Sequence, residues 1–61
     1  MPRSYLVLFF HRGKWEVYEE YGPTMADVAV KRAAQLSGPF GNAEVHALDG
    51  DGVSIWVREY K

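Results

Sequence analysis

Tyr5-Leu6-Val7-Leu8-Phe9-Phe10 is apolar at every position. A strand with one dry face and one wet face alternates apolar and polar residues with period two, so an unbroken apolar run has two faces that need cover. The run is too short for a membrane span and short for a helix, and its aromatic and branched side chains favour extended backbone. These residues predict an interior strand. The rest of the chain offers one amphipathic stretch of helical period, which covers one face of that strand and leaves the other bare.

Outward from this strand, His11-Arg12-Gly13-Lys14 reads as a tight hairpin, with Gly13 supplying a positive φ. A second strand follows over 14–21, with Trp15, Val17, Glu19 and Tyr21 on one face and Lys14, Glu16, Tyr18 and Glu20 on the other. Trp15 and Val17 are assigned to the core. Gly22-Pro23 ends the strand, and Thr24-Met25-Ala26-Asp27 has the form of a capping box with Thr24 as N-cap. Beyond it, Met25, Ala26, Ala29, Val30, Ala33 and Leu36 share one side of a helix at about 100° per residue, opposite Asp27, Lys31 and Gln35. Ser37-Gly38-Pro39 reads as the helix stop and Phe40-Gly41-Asn42 as a turn. A third strand over 43–48 sends Ala43, Val45 and Ala47 inward. A fourth over 53–60 sends Val53, Ile55 and Val57 inward and Ser54, Trp56, Arg58 and Tyr60 outward. Asp49-Gly50-Asp51-Gly52 joins the two as a hairpin turn. The sum is β-β-α-β-β, an α+β fold with one helix on one face of a four-stranded antiparallel sheet. Keeping the apolar strand interior and every neighbour antiparallel gives the order 2-1-3-4.

With 61 residues the chain is expected to form one domain over 1–61, near the lower size limit, where about 60% of the unfolded surface is buried. A hydrophobic content of 48% and a net charge of −1 exclude the composition of a disordered chain. The same charge, with an isoelectric point near 6.0, gives no global attraction to phosphate. Without cysteine there is no disulfide, thiol nucleophile or thiolate zinc site. Met1-Pro2-Arg3-Ser4 precedes an apolar run too short for a signal peptide, so the protein is expected to be soluble and cytoplasmic.

On this reading the sheet face away from the helix carries Leu6, Leu8 and Phe10, or their odd-numbered neighbours, with Tyr18, His46, Leu48, Trp56, Arg58 and Tyr60. So apolar a face predicts a partner, because Tyr, Trp and Arg are enriched where interfaces concentrate their energy. Trp56 and Tyr60 are the expected anchors, Arg58 the orienting polar contact, and Tyr18 and His46 the adjoining patch. An identical chain is the simplest partner. The competing structural reading has the same aromatics wrapping the edge of a small core.

Chemical motifs are few. Aligning Gly52 with the obligatory glycine of a calcium loop puts Ala47 at the first ligand position and Arg58 at the closing glutamate, so that loop fails. His11 and His46 lie on different strands without metal-ligand spacing, and Glu19 and Glu20, adjacent on a strand, point to opposite faces. No catalytic constellation, cofactor site or metal site is expected. Tyr18, Trp56, Tyr60 and Arg58 also suit a platform for single-stranded bases, but Glu16, Glu20 and Glu44, assigned to the same face, would repel phosphates.

Gly13-Lys14-Trp15-Glu16-Val17, the alanine-rich helix, Val45-His46 and Asp49-Gly50 resemble small bacterial and phage β-β-α-β-β domains of unknown function. Thr24-Met25-Ala26-Asp27-Val28-Ala29 is similar to the helix opening of HicB-type antitoxins, which add a Gly-Cys strand before the helix and a DNA-binding segment after it; these 61 residues contain neither. The resemblance implies a phage-type inhibitor that adheres to a host protein. The expected function is a non-enzymatic protein-binding module; a single-stranded nucleic-acid platform and a structural accessory domain are the alternatives.

Overall fold

The computed structural model describes residues 2–61, except for the side chains of Pro39 and Phe40. Four strands and one helix follow in the order β1 (Ser4–His11), β2 (Lys14–Tyr21), α1 (Ala26–Phe40), β3 (Ala43–Leu48) and β4 (Ser54–Tyr60). The strands form one antiparallel sheet in the order β2-β1-β3-β4, as expected for an α+β fold with β1 interior. No helix among the described residues is long and apolar enough to cross a membrane.

The β1–β2 hairpin turns through Arg12 and Gly13, at φ 55° and 83°. Positive φ at both central residues is the mark of the tight turn whose twist matches its strands. In the β3–β4 turn, Asp49 Oδ1 accepts hydrogen bonds from the amides of Asp51 and Val53, both at 2.9 Å. Arg3 donates to the Gly50 carbonyl at 3.2 Å. This carboxylate therefore organises a turn, as the failed calcium-loop alignment anticipates.

Both expected helix boundaries need correction. Thr24 does not cap the helix: Met25 occupies the N-cap position, and no side chain bonds to the free amides there. Met25 N instead donates to the Gly22 carbonyl at 3.1 Å, closing a turn with Pro23 at its second position, where a fixed φ is favourable. At the other end α1 runs through Ser37-Gly38-Pro39 and stops at Gly41, whose φ is 90°. Pro39 lies inside this last turn, where it lacks the N–H that would donate to the Gln35 carbonyl, and the helix ends two residues later at Gly41.

The helix lies over β1 and β3. Ala29, Ala33 and Leu36 meet Val7, Val45, Ala43 and Tyr21 in the buried core, against which Tyr5, Phe9 and Tyr60 pack. The expected apolar side of the helix is the buried one, except that Met25 is exposed. Val7 and Val45 are the largest fully buried side chains. At roughly 0.8 kcal/mol per buried methylene, a core of valines and alanines gives modest stabilisation, and its small side chains allow close helix–sheet approach. A polar cluster fastens the helix to β2: the Tyr21 hydroxyl donates to Glu19 Oε1 at 2.8 Å, Arg32 Nε stands 3.9 Å from the same oxygen, and its guanidinium lies 5.9 Å from the Tyr18 ring centroid.

Candidate functional site

Alternation along β1 puts Val7 and Phe9 under the helix and Leu6, Leu8 and Phe10 on the opposite, helix-free face. On β2 the alternation is interrupted. Val7 faces Glu19 while Leu8 faces Val17, so Tyr18 is an extra residue in a bulge. Everything before the bulge changes side relative to an unbroken strand. Trp15 and Val17, expected in the core, lie on the helix-free face, and the Trp15 and Phe10 rings meet edge to face at 5.5 Å. Tyr18, expected on that face, lies on the helix side, with its ring 5.9 Å from Phe9 and under Arg32.

The assignment of β4 is corrected in the same way. Ala43, Val45 and Ala47 point inward as expected, and the register sets Tyr60, Arg58 and Trp56 directly opposite them. All three outward-assigned residues therefore share the helix side, and Ser54 alone of that set stands opposite Leu48 on the helix-free face. A second irregularity, at Ile55, separates the Leu48–Ser54 pair from the Ala47–Trp56 pair. Because the helix lies over β1 and β3, Trp56 stays 43% exposed beside it. Tyr60 packs on the core with its buried hydroxyl unpaired, and Arg58 sits 5.4 Å above its ring. Of Tyr18, His46, Trp56, Arg58 and Tyr60, only His46 is on the helix-free face. Tyr18 is also on the opposite sheet edge from the other aromatics, so the nucleic-acid platform is not assembled.

The helix-free face has two halves. On β1 and β2 it carries Leu6, Leu8, Phe10, Trp15 and Val17, with Glu20 at one corner opposite Leu6. Phe10 and Trp15 are 39% and 41% exposed. On β3 and β4 it carries Glu44, His46, Leu48, Val57 and Glu59. His46 Nε2 and Glu44 Oε1 are 2.9 Å apart and largely shielded, while Glu59 stands directly across from Glu44. At the end of the sheet a hollow of about 240 Å³ lies between Trp15, Glu44 and Glu59, floored by Ala43 and bounded by Lys61. On the helix side, an apolar groove of about 320 Å³ runs between Ala26 and Val30 of the helix and Ile55 and Trp56 of β4.

His11 lies on the helix side, near Glu16 and Phe9, and does not approach His46. Among the described residues no three His, Cys, Asp or Glu side chains group to hold a metal ion. Trp15, Val17 and Phe10 are the surface residues that strand alternation misplaced or left open. The available signal was the clash between Trp15, Val17 and Tyr21 as one core face and the small helix that has to cover it. No family model, curated protein or solved structure matches the chain significantly.

Proposed function

We propose that the protein is a non-enzymatic, cytoplasmic protein-binding module that acts by occupying a partner's surface through its helix-free sheet face. The observation that carries this reading is that Phe10 and Trp15, with Leu6, Leu8 and Val17 beside them, form an uncovered apolar patch on one face. Contiguous patches of this kind mark association sites, and aromatic side chains supply their anchors. Trp15 and Phe10 take the anchoring role expected of Trp56 and Tyr60, and His46 stays in the contact area. In the terms of the phage-protein resemblance, such a module blocks a host protein by covering it. Base stacking is disfavoured because Glu20, Glu44 and Glu59 line the same face and repel phosphate.

The two tryptophans test this reading from opposite sides of the sheet. Affinity capture from a bacterial lysate compares the wild type with Trp15→Ala and Trp56→Ala, alongside a gel-shift assay with a single-stranded oligonucleotide. The expected result is a partner held by the wild type and Trp56→Ala and lost by Trp15→Ala. Identical capture by all three, or an oligonucleotide complex at low salt that high salt dissolves, overturns it.

A further inference from the structure

Resting on the reading of the helix-free face as a protein-docking surface, we propose that its occupant is a cationic amphipathic helix of a different protein. Its apolar stripe lies along β1 and β2 on Leu8, Phe10, Trp15 and Val17, and its Lys or Arg side chains reach across to Glu44 and Glu59.

Width is the first argument. The apolar half spans two neighbouring strands, spaced about 4.8 Å apart, which suits a helix about 10 Å across with its side chains. The chain covers the other face of β1 with a helix in this way.

Charge is the second. Glu44 and Glu59 are directly opposed across β3 and β4, and like charges in that position destabilise a sheet. Glu44 has His46 beside it, whereas Glu59 forms no ion pair among the described residues. A basic side chain from outside relieves this opposition. The hollow between Trp15 and the two carboxylates offers it an indole wall as well as counter-charges. Lys61 also borders the hollow but is exposed and makes no ion pair with either glutamate.

The same division into halves argues against a second copy of this chain as occupant. Face-to-face pairing about an axis along the strands lays each apolar half on the other copy's acidic half. An axis across the strands lays apolar half on apolar half but turns each copy end for end, so Glu44 and Glu59 fall on the Leu48 and Ser54 end of the other copy without a counter-charge. A heterologous helix with one basic flank satisfies both halves together.

The test uses two synthetic amphipathic peptides with the same leucine stripe, one flanked by lysine and one by glutamate, titrated calorimetrically into the full chain at low and high salt. Circular dichroism confirms that each variant is folded. The lysine peptide is expected to bind and to weaken with salt, and the glutamate peptide to fail. The Glu44→Gln/Glu59→Gln double variant should lose about 5-fold or more in affinity, Trp15→Ala about 30-fold, and Trp56→Ala nothing. Equal binding of both peptides, with Trp15→Ala losing both, overturns the cationic partner and leaves the docking face standing. Failure of both peptides, with a wild-type dimer that Trp15→Ala dissolves in light scattering, overturns it in favour of a second copy. Peptide binding that Trp15→Ala leaves unchanged overturns the helix proposal and the docking face together.

Discussion

Tyr21 joins sheet and helix at the level of one side chain. Burial raises its phenol above the ordinary value first, the hydrogen bond to Glu19 adds to the shift, and Arg32 opposes it. A group whose folded value lies above its unfolded one contributes stability that is fully present below the unfolded value, about pH 10, and is lost as pH rises through the folded value. Tyr21→Phe is expected to cost about 1 kcal/mol at neutral pH, for one hydrogen bond to a carboxylate that water can reach. It should also lose less stability than the wild type between pH 7 and pH 11. Urea unfolding of both proteins at the two pH values measures this, and an equal loss in the two would show that Tyr21 is not the titrating group. The strand pattern put Tyr21 and Glu19 on one face but did not show the bond between them, because alternation sets the side of a side chain and not its rotamer.

At the scale of elements, the two ends of α1 show how local signals compete. Gly38 lies inside the helix with nothing within 4 Å of a Cβ built on it, whereas Gly41 closes the helix at a φ of +90°. Gly38→Ala should therefore stabilise the fold by about 0.5–1 kcal/mol, and Gly41→Ala should destabilise it by about 1 kcal/mol or more. Thermal melts of the pair check this. Changes of the same sign would place the end of the helix at Ser37-Gly38-Pro39, where the stop residues put it. The bulges belong to this scale too. At Tyr18 one unpaired residue reverses the faces of Trp15 and Val17 while leaving β2 with the ends that the alternation gives.

For the whole molecule, two identical neighbouring side chains report on the two faces of the sheet. Phe9 packs on the core under the helix, and Phe10 stands 39% exposed against Trp15 on the helix-free face. Phe9→Ala should cost about 3 kcal/mol and Phe10→Ala about half as much. The first is a large share of the stability of a domain this small. Denaturant midpoints separate the two, and equal losses would show the helix-free face to be as firmly packed as the core. The reading of residues 5–10 as apolar on both faces is realised by this pair, one beneath a helix and one without cover from the described chain.

Strand positions, the single helix, the sheet order and the uncovered face were legible from residue patterns, because alternation, turn residues and antiparallel connection are local or nearly local constraints. The faces on which Trp15, Val17, Tyr18, Trp56, Arg58 and Tyr60 lie were not. Alternation specifies which residues share a side only while a strand is unbroken, and the choice of side for a whole strand comes from its partner's register. The register opposite Ala43, Val45 and Ala47 turned β4 over, and the extra residue at Tyr18 turned half of β2. Each is set by pairing between strands rather than by the residues of one strand alone. The candidate site moved from the β4 aromatics to Phe10 and Trp15 for that reason.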